Sequence, residues 1–147
     1  MGRIVVGVDG GEGSLAALAW ALGEARLRSA VVEAVCAYDR PASLVGMGEA
    51  MGATVGLPIG ESDMAAYATG TLESALAGLD TDGTEVVVRA VEGDAARVLE
   101  QAADGAELLV VGVGHAELGS RLVGSVWAHC AHHASCPVVL VRARAGD

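Results

Sequence analysis

Five short aliphatic runs, separated by turns and by longer segments of helical pattern, constrain the fold of this chain most strongly. Each run is too short for a helix and has the valine and leucine content of a strand buried on both faces. Strands that alternate with helices predict an α/β fold, a doubly wound five-stranded parallel sheet of Rossmann-like type with helices on both faces. The predicted strands are residues 3–9, 31–38, 84–91, 108–111 and 137–142.

The segments between these runs have the pattern of amphipathic helices. Ser14 and Asp94 are expected to cap the first and third helices, because short polar side chains accept hydrogen bonds from free N–H groups at a helix start. The predicted helices are residues 14–29, 62–79, 94–103 and 125–134. The core side of the second helix is predicted to carry Met64, Tyr67, Leu72, Leu76 and Leu79.

Length and composition limit the classes of protein to which the chain can belong. Its 147 residues predict one domain, and the 52% hydrophobic and 19% charged content excludes a disordered chain. The net charge is −10 and every basic residue is arginine. We therefore expect no nucleic-acid binding, and the missing lysine excludes a Walker A loop and Schiff-base chemistry.

Three cysteines, Cys36, Cys130 and Cys136, are too few for a disulfide scaffold and predict a reducing cytoplasm. The N-terminus lacks the pattern of a signal peptide. No apolar run approaches the roughly 18 residues that suggest a membrane span, so no membrane association is expected.

The segment at residues 42–60 has several glycines, two methionines and no clear period. A loop this long in a compact domain often covers a site or binds a ligand. Its apolar content is equally compatible with a partner surface and with a plain packed loop.

The turn after the first strand, DGGEGS from Asp9 to Ser14, has several interpretations. Gly11, Gly13 and Ala16 fit the spacing of the dinucleotide fingerprint, but the acid expected about 20 residues further on is missing. The turn also resembles the SGGxDS loop of ATP pyrophosphatases, with the first serine and the aspartate replaced. Alternatively, Asp9 contacts a ribose hydroxyl or a bound metal ion, or it only caps the turn.

The second glycine-rich turn follows the strand at residues 108–111 and contains Gly112, Gly114 and Gly124, with Ser125 at the start of the last helix. Glycines allow backbone N–H groups to point into a loop, and a helix start adds partial positive charge. The turn therefore predicts a phosphate cradle. Because carboxyl ends of parallel strands share one edge, this turn and Asp9 are expected to face one crevice.

From Gly112 to Ser125 the loop reads G-x-G-x9-G-S, which resembles the nucleotide loop of the universal stress protein family, usually G-x2-G-x9-G-[ST]. The resemblance covers the whole chain. RIVVGVDGGEGSLAALAWA is similar to the family's first strand, turn and helix, and AHHASCPVVLVR is similar to its last helix end and last strand.

This resemblance implies a cytoplasmic, usually dimeric stress-response protein, some of whose relatives bind ATP. In those relatives the acid after the first strand contacts the nucleotide and a backbone position late in the second strand lies against adenine. The loop glycines and the Gly-Ser pair hold ribose and phosphates. For this chain we expect a divalent cation, Mg²⁺, to offset the phosphate charge. The implied nucleotide-binding residues are Asp9, Gly10, Ala37, Gly112, Gly114, Gly124, Ser125 and Val126.

One spacing differs from the family pattern: a single residue separates Gly112 from Gly114, so the ribose half of the motif is compressed. The first hypothesis is a stress-response regulatory protein that binds ATP or a related adenine nucleotide. The second is a dimeric interaction protein of the same fold that binds no nucleotide. The third is an ATP-pyrophosphatase-like enzyme. Because no nucleophile–base set can be assembled from the sequence, we expect at most a slow ATPase.

Two segments near the C-terminus give further predictions. His129 and His133 lie one helical turn apart, a spacing that can chelate zinc, but a core-facing helix explains the segment without a metal. The last strand is predicted to lie at an edge of the sheet, and pairing across a two-fold axis would cover that edge in a homodimer.

Overall fold

The structure, a computed structural model, describes residues 1–39, 61–113 and 125–143. Within these ranges strands and helices alternate as the sequence predicts. The predicted loop at residues 42–60, Gly114 and Gly124 lie outside the described residues. The strands are β1 (Arg3–Gly7), β2 (Val31–Tyr38), β3 (Val86–Glu92), β4 (Leu108–Val113) and β5 (Val138–Arg142). The helices are α1 (Glu12–Arg28), α2 (Glu61–Ala77), α3 (Ala95–Ala102) and α4 (Ser125–His133).

The five strands form one parallel sheet in the order β3-β2-β1-β4-β5, which confirms the predicted doubly wound α/β fold. The chain first builds outward from β1 to β3 and then returns to the other side of β1. The strand order therefore reverses between β1 and β4, where open sheets of this class have their ligand crevice. The edge position predicted for the last strand is also confirmed, since β5 pairs only with β4 among the described strands.

Helices cover both faces of the sheet because every second strand residue points to the same face. On one face α1 and α2 pack against β-strand residues such as Ile4, Val6 and Val110. On the other face α3 and α4 pack against Val5, Val35 and further strand residues. These strand side chains are almost completely buried, as expected for a sheet covered on both sides.

The two predicted helix caps have different outcomes. Asp94 caps α3 as predicted, and its carboxylate accepts a hydrogen bond from Arg97 N. The prediction for Ser14 is wrong, because α1 begins at Glu12 after Gly11 and Ser14 lies buried inside its first turn. The Ser14 hydroxyl instead forms hydrogen bonds with Asp9 and Gly11 of the turn that precedes the helix.

The strand boundaries at the carboxyl edge also differ from the prediction. β1 ends at Gly7 and not at residue 9, although Val8 N still donates a hydrogen bond to Val35 O. β4 continues two residues past the predicted end, to Val113, because its end pairs with β5. Gly112 is therefore a strand residue and not the first residue of a loop.

The core side of α2 differs from the prediction: the buried residues among those described are Ala68, Leu72 and Ala75, and the predicted Leu79 lies beyond the end of the helix at Ala77. Tyr67, predicted to face the core, is 76% exposed. No described helix combines the length and the apolar character that crossing a membrane requires.

Candidate functional site

The carboxyl edge of the sheet brings together the first group of predicted site residues. Asp9 and Gly10 follow β1 closely, Gly112 lies near the end of the neighbouring β4, and Ala37 is the second-last residue of β2. These three strands are adjacent in the sheet, with β1 between the other two. The described residues thus place the Asp9 turn and the start of the second glycine-rich segment at the point where the strand order reverses.

The turn after β1 is held by three hydrogen bonds that involve Asp9, Gly11 and Ser14. Gly11 N donates to Oδ1 of Asp9 at 2.7 Å, and Asp9 N donates to Oγ of Ser14 at 3.1 Å. The Ser14 hydroxyl in turn donates to Gly11 O at 3.1 Å. Gly10 has φ +88°, a left-handed conformation that favours glycine. Asp9 therefore does cap its own turn, while the residue stays exposed to solvent.

Gly112 lies directly against the start of α1. A Cβ atom at this position would overlap the carbonyl group of Gly13, which is buried in the first turn of that helix. The two glycines allow β4 and the N-terminus of α1 to approach more closely than any side chain would permit. This contact packs β4 against the start of α1, directly after the Asp9 turn.

Residues near the end of β2 complete this edge. Burial raises the pKa of the Cys36 thiol, and the negative charge of Asp9 raises it further. Ala37 is half-buried and packs against the same apolar cluster as Val126 of α4. Ser125 is the first residue of α4.

A groove beside the Asp9 turn was not foreseen from the sequence. It has a volume of about 510 Å³ and runs between the turn, α1 and one side of α2. The exposed ring of Tyr67 forms part of its wall. The sequence contains one indication of this groove, because four of the lining residues recur at helical spacing and therefore share one side of α2. These are Tyr67, Gly70, Thr71 and Ser74.

Histidines of the segment at residues 129–136 form contacts within the protein. His129 Nε2 lies 2.7 Å from Oε2 of Glu100 on α3, and the rings of His129 and His133 have centroids 4.4 Å apart. Among the described residues no set of three or more His, Cys, Asp or Glu side chains is arranged to hold a metal ion. Cys130 is buried, and burial raises the pKa of its thiol to about 11, which makes it a poor nucleophile.

Comparison with solved structures shows the same fold in several universal stress proteins. One, in complex with cAMP, has 27% identity over 97% of this chain and 98% of its own, with a TM-score of 0.61. A member of the family from Burkholderia pseudomallei has 26% identity over 95% of both chains, with a TM-score of 0.65. A third, from Archaeoglobus fulgidus in complex with dAMP, has 21% identity over 96% of this chain and 98% of its own, with a TM-score of 0.56. No curated protein gives a significant match.

The fold agrees with the family that the loop pattern suggests. A model of the universal stress protein family matches residues 1–142, almost the whole length of the chain. On this match the chain belongs to the universal stress protein family.

Proposed function

We propose that this protein binds an adenine nucleotide, ATP with Mg²⁺, in the crevice between the carboxyl ends of β1 and β4, as a regulatory stress protein. The observation that carries the proposal is that Asp9, Ala37 and Gly112 lie together at the carboxyl ends of three adjacent strands, where the strand order reverses. Ligands of open α/β sheets bind at that point. Support also comes from the cAMP complex of the relative with 27% identity.

The proposed residues divide by the part of the nucleotide that they would contact. Asp9 would accept a hydrogen bond from a ribose hydroxyl, and the backbone of Ala37 would lie against adenine. Backbone N–H groups at Gly114, Gly124, Ser125 and Val126 would receive the phosphates, because a helix start attracts anions. In a chain of net charge −10 without lysine, Mg²⁺ would offset phosphate charge.

A dimeric interaction protein that binds no nucleotide is the second candidate. The observation in its favour is that the Asp9 carboxylate already has a partner in its own turn, Gly11 N. In this candidate the sheet edge at β5 serves association, and the turn at Asp9 is purely structural. All three cysteines are free thiols. The reducing, cytoplasmic location that they suggest stays a prediction for both candidates.

Asp9→Asn tests the site with little change to the turn, because an asparagine side-chain oxygen can still accept from Gly11 N. Loss of a charge-assisted hydrogen bond to ribose should weaken ATP binding about 10-fold to 100-fold. The matched control is Asp80→Asn, since Asp80 Oδ1 caps a remote turn in the same way, accepting from Asp82 N at 2.9 Å. Isothermal titration calorimetry with ATP and Mg²⁺ measures both affinities.

Native mass spectrometry of the purified protein complements the titration by detecting nucleotide that co-purifies. If wild-type protein carries no nucleotide and ATP with Mg²⁺ leaves its melting temperature unmoved, the second candidate replaces the first. Equal affinities of the Asp9 and Asp80 variants would move the site away from Asp9. Release of AMP and pyrophosphate at a substantial rate would instead support the ATP-pyrophosphatase-like enzyme.

A further inference from the structure

The helix α4 depends on the neighbouring helix α3 for its position. With nine residues it is too short to be stable in isolation. It packs mainly against α3 and less against strands β4 and β5. Its apolar attachment is narrow, because Cys130 is fully buried whereas Val126 and Trp127 are only partly buried against the same cluster.

A polar contact supplements this narrow apolar attachment. Glu100 of α3 and His129 of α4 are joined by a hydrogen bond of 2.7 Å, and their side chains are only 38% and 30% exposed. The bond to His129 lowers the pKa of Glu100, and the nearby charges of His129, His133 and Arg97 lower it further. Glu100 is therefore a carboxylate at neutral pH and presents a full negative charge to α4.

The bond acts close to the helix start that the proposed function uses. His129 lies four residues after Ser125, about 6 Å along the helix axis at roughly 1.5 Å per residue. A contact at that distance restricts both rotation of α4 about its axis and sliding along α3. Because the first N–H groups of a helix point along its axis, sliding or tilting of α4 would move them away from a bound anion.

We propose that Glu100 is a positioning residue: through His129 it fixes the orientation of α4 so that the N-terminus of this helix can receive the phosphate groups of the nucleotide. The proposal rests on the proposed function and adds a residue that the sequence pattern does not mark. Glu100 does not contact the nucleotide. Substitution of Glu100 should therefore weaken the binding of the phosphate groups and leave the affinity for adenosine unchanged.

Titrations with ATP and with adenosine separate the contribution of the phosphate groups from that of the nucleoside. Glu100→Ala should weaken ATP binding about 3-fold to 10-fold, the range of one hydrogen bond, and leave adenosine binding within about 2-fold of wild type. Glu100→Gln should retain most of the ATP affinity, because its amide oxygen still accepts from His129. The matched control is Gln101→Ala, an exposed neighbour on the same helix, which should change neither affinity.

A double-mutant cycle with His129→Ala tests whether the two residues act as a unit. If they do, the double variant should lose no more ATP affinity than Glu100→Ala alone. Equal losses for ATP and adenosine, or full ATP affinity in Glu100→Ala, would overturn the positioning role while the proposed function stands. Wild-type protein that binds neither ligand would overturn both.

Discussion

At the scale of single residues, Gly112 has a structural and a functional interpretation that are compatible. The sequence pattern assigns it to a nucleotide loop, whereas the structure places it within β4 against the backbone of Gly13. Both interpretations require that residue 112 has no side chain. The close approach of strand and helix explains the glycine without any ligand, so an effect of substitution on nucleotide binding must be separated from an effect on folding.

Gly112→Ala should lower the free energy of unfolding by about 2–3 kcal/mol, because the new methyl group would overlap backbone atoms that cannot move aside as a side chain can. Gly23→Ala is the matched control. Gly23 lies inside α1 in open space, with no neighbouring side chain within 4 Å of the point that a methyl group would occupy, so alanine there should stabilise by about 0.5–1 kcal/mol. Urea denaturation of both variants measures the two changes. A Gly112 variant as stable as wild type would refute the close packing.

Other residues at the carboxyl edge show why the sequence could not assign every role. Asp9 was recognisable as an acid after a strand, but a ribose contact and a turn cap require the same residue type. Ser14 is a preferred capping residue, yet its hydroxyl bonds Gly11 O and Asp9 N and leaves the helix to start earlier. Such choices depend on a few hydrogen bonds of similar strength, which a linear pattern does not rank.

At the scale of elements, a buried acid connects three strands and a helix end. Glu33 of β2 is 7% exposed and accepts from Arg3 Nη1 of β1 at 3.1 Å and from Arg89 Nη1 of β3 at 2.6 Å. Arg3 also donates to the carbonyls of Ala102 and Asp104 at the end of α3, both at 2.7 Å. The network satisfies the charge of Glu33 and ties α3 to the sheet.

Glu33→Ala should lower the free energy of unfolding by about 1–2 kcal/mol, because it removes the carboxylate that two arginine side chains share, while these side chains, at 32% and 51% exposure, remain partly solvated. Glu24→Ala is a suitable control, since Glu24 forms an exposed helical pair with Arg28 at 2.7 Å and such pairs contribute about 0.5 kcal/mol at most. Denaturation at low and at high salt measures both losses. A loss for Glu33→Ala no larger than that for Glu24→Ala would show that the network contributes little.

Strand and helix order could be predicted from the sequence because short aliphatic runs and amphipathic segments are local signals. The interaction of Glu33 could not, since Arg3 and Arg89 are 30 and 56 residues away and pair with it only once the sheet has formed. The exposure of Tyr67 could not be predicted either, because it also depends on how the folded elements pack. Helical spacing indicates an apolar side of α2, but it does not show that Ala68, Leu72 and Ala75 are the residues of that helix that the sheet buries.

At the scale of the whole molecule, the sheet has two edges that are open among the described residues. β5 forms one edge with Leu140 at 43% exposure, and β3 forms the other with Val87 and Val88 at 41% and 39%. An open edge with exposed aliphatic residues favours association with another chain. The family resemblance favours β5, so we propose that two copies of the chain pair through this strand about a two-fold axis.

Leu140→Lys should convert the proposed homodimer into a monomer, because the two-fold axis would bring like charges together at an interface that excludes water. Val88→Lys is the matched control, since it places the same charge at a similarly exposed position on the opposite edge and should leave the dimer intact. Sedimentation velocity distinguishes a particle of 14.7 kDa from one of twice that mass. A dimeric Leu140 variant together with a monomeric Val88 variant would assign the interface to β3, and a monomeric wild-type protein would refute the homodimer altogether.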